Sequence, residues 1–172
     1  HLWSDFYAYV VDGRCKENSQ TTLMHIRIET RLHNITADEV FSRFNQELFL
    51  VLAPKFPPSK LLRFDGCKTG DLVEIEMQLP IIGKQYWTSK ITDHVSDSNV
   101  LHFFRDEGIK LPFFLSAWQH DHIIEQHGND VIIVDDIHYK TKFPIPDFLV
   151  YPQLYKTFSI RTKIYKAFYK RS

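Results

Sequence analysis

From residue 22 to residue 140, apolar and polar side chains alternate with the two-residue period of half-buried strands. Thr22 to Leu32 (TLMHIRIETRL) sets Met24, Ile26, Ile28 and Thr30 against Leu23, His25, Arg27 and Glu29. Six further runs read as strands: Lys60 to Phe64, Leu72 to Leu79, Gln85 to Val95, Val100 to Arg105, Ala117 to Glu125 and Val131 to Lys140. Turn residues separate them, among them Asp65-Gly66, Thr69-Gly70-Asp71, Ile82-Gly83-Lys84 and His127-Gly128-Asn129-Asp130. Strands spaced this closely, with no helix between them, predict an antiparallel meander.

Two places break the strand period. Thr36 followed three residues later by Glu39 is a capping box, and Val40, Phe41, Phe44, Leu48 and Leu52 then recur at helical spacing. Pro54, Pro57 and Pro58 end that helical region. After Pro144 and Pro146, Asp147 to Lys170 predicts a long helix, with Leu154, Phe158, Tyr165 and Phe168 near one face. The order is strand, short helices, six strands, long helix. A sheet with one apolar face must cover it, and only the C-terminal helix is long enough. The expected fold class is therefore α+β, a seven-stranded antiparallel sheet wrapped around a long C-terminal helix, with short helices after strand 1. Residues 21–172 are expected to form one domain. Residues 1–20 read as an N-terminal appendage to that domain.

Composition adds limits. Lys plus Arg equals Asp plus Glu at 21 each, so no global field favours nucleic acid. No apolar run approaches the roughly 18 residues of a membrane span, and no signal-peptide pattern is read. Cys15 and Cys67 have no metal-ligand or disulfide-framework spacing, so a cytoplasmic setting is expected. The 14 Phe, 8 Tyr and 3 Trp are the unusual feature, and large rings often line apolar ligand cavities.

Chemistry concentrates on the last two strands. Trp118, His120 and His122 share one face of a strand, and Asp135, Ile137 and Tyr139 share one face of the next. The Gln126–Asp130 turn makes these strands antiparallel neighbours. If the faces coincide, two imidazoles, an indole, a carboxylate and a phenol share one surface, as a cavity wall would allow. Asp135 is expected to orient a histidine and Tyr139 to complete the network. His120, His122, Asp135 and Tyr139 are also the acid–base candidates. His120 and His122 with Asp135 have the composition of a two-His-one-carboxylate metal site, but no cysteine pair joins them and no metal is expected. Val73, Ile75, Met77, Trp87, Ile91 and Phe103 are placed on the inward faces of their strands, and Arg105 follows Leu101 and Phe103 on theirs. No nucleophile elbow, P-loop, dinucleotide fingerprint or CxxC is present.

The element order over residues 22–170 resembles the START and birch-pollen-allergen superfamily, whose fold is called helix-grip. The combination Phe104-Arg105-Asp106-Glu107, Pro112-Phe113, Trp118-x-His120-x-His122 and Asp135-x-Ile137-x-Tyr139 is similar to small bacterial members labelled SRPBCC or polyketide cyclase/dehydrase-like. The resemblance implies a small hydrophobic ligand held between the sheet and the C-terminal helix, without a cofactor. The expected ligand-binding residues are Trp87, Phe103, Arg105 and Trp118, with His120, His122, Asp135 and Tyr139. The alternatives are a cofactor-free cyclase or dehydratase using the same groups, and an interaction module with a filled core.

Overall fold

The computed structural model describes residues 23–97 and 100–170; the 1–20 segment lies outside them. Strand β1 (Met24–His33) buries Ile26, Thr30 and Leu32 and turns His25, Arg27 and Glu29 outward, as its alternation dictates. The chain then closes the expected capping box. Thr36 Oγ1 accepts from the Glu39 amide at 3.2 Å, and Glu39 Oε2 accepts from the Thr36 amide at 2.8 Å. That starts helix α1 (Ala37–Ser42), followed by α2 (Gln46–Leu52) under an Asn45 cap. The helical region is two short helices, both ending before the proline run.

Strands β2 (Ser59–Phe64), β3 (Leu72–Leu79), β4 (Gly83–Asp97), β5 (Leu101–Lys110), β6 (Leu115–His127) and β7 (Asp130–Thr141) follow. They and β1 form one antiparallel sheet in the order β1-β7-β6-β5-β4-β3-β2. Register shifts in the β4–β5 pairing at Thr88/Ser89 and Ile91/Asp93 interrupt the ladder; such irregularities bend a sheet and increase its twist. In the β6–β7 turn Gly128 adopts φ 62°, a left-handed conformation that a residue without Cβ takes at little cost.

Helix α3 (Asp147–Tyr169) lies against the concave face. Its 23 residues reach roughly 34 Å at the standard helical rise. The C-terminal half packs Tyr165, Phe168 and Tyr169 against α1, α2 and the far ends of β6 and β7. The N-terminal half packs Phe158 against Trp118, Ile137 and Tyr139. Between these two apolar clusters, Arg161 reaches down to the sheet. Among the described residues, no helix is long and apolar enough to cross a membrane.

Candidate functional site

The sheet register aligns the two polar faces. On β6 and β7, Trp118 stands opposite Tyr139, His120 opposite Ile137 and His122 opposite Asp135. The next pairing adds two residues from β5: Phe104 opposite His122, and Asp106 opposite His120. In an antiparallel pair, opposed side chains project to the same side at about 5 Å between Cβ atoms. One patch of the concave face therefore gathers Asp106, His120, His122 and Asp135, with Arg161 above it from α3.

The cluster is almost dry. The His120 and Asp135 side chains are 4% and 2% exposed. His120 Nε2 lies 2.9 Å from Asp135 Oδ1, which also accepts from Arg161 Nη1 at 3.3 Å. His122 Nε2 lies 3.2 Å and His120 Nδ1 3.4 Å from the same oxygen of Asp106, Oδ2. The Trp118 indole N–H donates to the other oxygen, Asp106 Oδ1, at 3.1 Å. The two imidazoles sit with ring centroids 3.7 Å apart, and Phe104 stacks on His122 at 4.2 Å.

These contacts set the charge pattern. Burial alone would raise both carboxyls, but His120 and His122 hold Asp106 far below the usual range, and His120 with Arg161 brings Asp135 down to about 2. Burial pushes His120 down, yet hydrogen bonds to Asp106 and Asp135 outweigh it and its pKa rises. For His122, burial and the neighbouring His120 charge act together, and its pKa falls to about 4. The cluster thus sets two carboxylates against Arg161, with His120 drawn towards its protonated form and His122 held towards the neutral one. A neutral His122 donating from Nε2 to Asp106 leaves Nδ1 as a bare acceptor. That atom and Arg161 Nε have no hydrogen-bond partner among the described residues.

The cluster forms one end of a cavity of about 460 Å³ between the sheet, α2 and α3. Its other walls are mostly apolar, including Ile75 and Met77 from β3, Trp87 from β4, Leu48 from α2, and Leu154 and Phe158 from α3, with Ser89, Gln153 and Thr157 among the polar exceptions. Trp87 meets Trp118 edge-on, with ring centroids 4.7 Å apart at 88°. Cys67 also borders the cavity, and burial pushes its thiol up to about 12, which removes it as a nucleophile at neutral pH.

Of the residues expected from sequence, Trp87, Trp118, His120 and His122 line this cavity together. Asp135 lies beneath His120 as its hydrogen-bond partner rather than on the wall. Tyr139 does not join that network: its hydroxyl donates to the Asp147 carbonyl at 3.2 Å, and its ring is core. Phe103 and Arg105 require correction, because they stand on the opposite face of the sheet. Phe103 packs there with Leu101, Ile123 and Val134, and Arg105 makes two bonds of 2.6 Å to Asp121. The physical reason is that β5 buries Leu101 through Phe104 without a break, so hydrophobicity alone does not identify the inward face. The inward set is His102, Phe104 and Asp106 instead.

Two members of the site were missed. Asp106 falls beyond the expected end of its strand, because β5 runs on to Lys110. Arg161 carried a usable signal: Phe158, Arg161, Tyr165 and Phe168 recur at helical spacing, so the arginine interrupts the apolar stripe of α3.

Solved structures share this architecture. Ara h 8.0201 superposes with a TM-score of 0.59 at 13% identity, over 88% of this chain and 100% of that one. This chain has the helix-grip fold of the START and birch-pollen-allergen superfamily. A protein from Chromobacterium violaceum gives 0.54 at 15% identity, over 83% of this chain and 95% of that one. The norcoclaurine synthase of Thalictrum flavum, a point mutant holding a transition-state analogue, gives 0.51 at 13% identity, over 89% and 100%. No protein-family model and no curated protein matches the sequence. Identities this low establish the helix-grip fold and leave the chemistry to the site itself.

Proposed function

We propose that this helix-grip chain binds a small hydrophobic molecule, such as a lipid, a polyketide or an aromatic metabolite, in the cavity under α3. The observation that carries the reading is a 460 Å³ space with mostly apolar walls and a buried cluster of carboxylates and imidazoles at one end. Its size and lining suit a small-molecule pocket, in which apolar walls supply affinity and a few polar groups orient the ligand. An interaction module with a filled core would instead pack these rings to interior density. We take residues 21–172 to act as one domain and, from the sparse cysteines, the setting to be cytoplasmic. Native mass spectrometry of freshly purified protein, followed by organic extraction, tests the binding. A co-purifying apolar molecule is expected, and it should be lost when Leu154→Trp fills the cavity. Occupancy unaffected by that substitution would place the molecule elsewhere.

A second reading, acid–base catalysis of a cyclisation or dehydration, is favoured by one observation. Two touching imidazoles are driven in opposite directions, His120 towards the protonated form and His122 towards the neutral one. Groups split in this way suit a proton donor and a proton acceptor. The test is turnover of the extracted molecule. Catalysis predicts that His122→Gln keeps occupancy and stops turnover, whereas a carrier shows no turnover in either protein.

A further inference from the structure

We propose that Asp106, His120 and His122 form a binding site for one first-row divalent cation, zinc or a near relative, opening into the cavity. The proposal stands whether or not the cavity also carries an organic ligand. It departs from the expectation of a metal-free cluster, which considered only Asp135 as the carboxylate.

Convergence is the first observation. One donor atom from each of the three side chains lies within 4.8 Å of the others. Two imidazole nitrogens, His122 Nε2 and His120 Nδ1, approach Asp106 Oδ2 at 3.2 and 3.4 Å. These separations are long for charge-assisted hydrogen bonds, which run at about 2.7–2.9 Å. Arg105 and Asp121 on the other face of the same sheet show the shorter kind, at 2.6 Å. Metal–ligand bonds of about 2.0–2.1 Å in a tetrahedral arrangement place ligand atoms about 3.3 Å apart. The spacing around Asp106 Oδ2 therefore matches the edges of a coordination polyhedron.

The surroundings of the three ligands are the second observation. A ligating histidine normally donates its other ring nitrogen to a carboxylate or carbonyl, and a ligating carboxylate is itself hydrogen-bonded. His120 presents Nδ1 to the cluster and Nε2 to Asp135 at 2.9 Å. Asp106 presents Oδ2 to the imidazoles while Oδ1 accepts from the Trp118 indole at 3.1 Å. Arg161 in turn steadies Asp135. These contacts fix the orientation of two of the three ligands.

Openness is the third. All three side chains border the cavity. Three protein ligands with a free position is the arrangement of a cation that accepts a further oxygen, from water or from a carbonyl or hydroxyl of a bound molecule. Two imidazoles and one carboxylate favour zinc, cobalt(II) or iron(II) over calcium or magnesium, which prefer all-oxygen sites.

A second cluster, His25, Asp136 and His138, lies on the outer face of β1 and β7. There His25 and His138 stack at 4.5 Å, and Arg27 Nη1 already lies 2.7 Å from Asp136 Oδ2. That cluster borders no part of the cavity and is removed from the test by substitution.

The test uses the full chain carrying His138→Ala, treated with chelator and titrated with zinc by calorimetry and with cobalt(II) by visible absorption. One cation per chain is expected, with the cobalt bands of nitrogen and oxygen ligation. Asp106→Asn in the same background should abolish binding, and Asp135→Asn should weaken it 10–100-fold, the usual effect of removing a ligand's supporting carboxylate. Circular dichroism monitors folding; if Asp106→Asn does not fold, His122→Gln replaces it. Absence of saturable one-to-one binding in the His138→Ala protein overturns the proposal. Undiminished binding in folded Asp106→Asn or His122→Gln overturns it equally.

Discussion

His120 Nε2 lies 2.9 Å from Asp135 Oδ1, inside the sheet–helix interface, with both side chains at most 4% exposed. Neither group has bulk water to turn to, so each depends on the other. Asp135→Asn keeps the shape and removes the charge that faces His120 and Arg161. The variant should fold and lose about 1–3 kcal/mol, the usual cost of leaving buried charged donors poorly paired. Urea unfolding reads this directly. A stability equal to that of the native chain would mean that Asp135 is not the partner of His120.

Phe103 and Phe104 are adjacent in sequence and lie on opposite faces of β5, so they separate packing from binding. Phe103→Ala should destabilise by about 3–5 kcal/mol, as large aromatic deletions from a core do, and leave occupancy of the cavity unchanged in the folded fraction. Phe104→Ala removes the ring stacked on His122 and part of the cavity wall. It should alter occupancy as well as stability. Equal effects of the two on occupancy would contradict the β5 register.

Arg105 and Asp121 form a bidentate pair on the outer face, with side chains 17% and 11% exposed. Arg105→Ala strands the Asp121 carboxylate and should lower stability by about 1–3 kcal/mol. Ligand occupancy should stay the same. A drop in occupancy without loss of stability would return Arg105 to the binding site.

Trp87 and Trp118 give the cavity an optical report. Both border it, edge to face at 4.7 Å, and Trp3 is the only other tryptophan in the chain. An apolar dye entering the cavity should change the intrinsic emission, and Trp87→Phe should reduce that change. A response unaffected by Trp87→Phe would locate the dye outside the cavity.

Stability should fall in acid in two stages. His122, held down to about 4, favours its neutral form in the fold. Below its ordinary value near 6.5, the unfolded chain takes up a proton that the native chain refuses, so stability falls from about pH 6.5 to pH 4. His120 works in the opposite sense: its raised pKa contributes stability that is fully present below about 6.5 and is lost as pH rises through the native value. Asp135, held to about 2, contributes stability present above its ordinary value near 4 and lost as pH falls towards 2. Asp106, also held far below the usual range, acts in the same sense. Asp135→Asn should therefore shrink the lower stage and His122→Gln flatten the upper one, in unfolding curves taken across this range.

The fold was readable in the order of local signals, because strand alternation, the Thr36–Glu39 box and the stripe on α3 are each set by residues close in sequence. The match of the Trp118–His120–His122 face with the Asp135–Ile137–Tyr139 face was readable for the same reason: a tight turn around Gly128 determines both register and parity. Local pattern failed on β5. There Leu101 and Phe103 point outward, while His102, Phe104 and Asp106 point inward, and a run buried on both faces leaves hydrophobicity unable to tell them apart. Polar groups can face inward there because residues distant in sequence satisfy them. His102 meets Asp38 of α1 and Ser96 of β4, and Asp106 meets Trp118 and two histidines of β6. Arg161 tolerates its place among apolar neighbours because Asp135, 26 residues earlier, lies beneath it. Local patterning along the chain specifies the elements, their order and one polar face. Which carboxylate meets the imidazoles, and which aromatic lines the cavity, was decided only by tertiary pairing, since the interactions that offset the burial of charge join strands and a helix far apart along the chain.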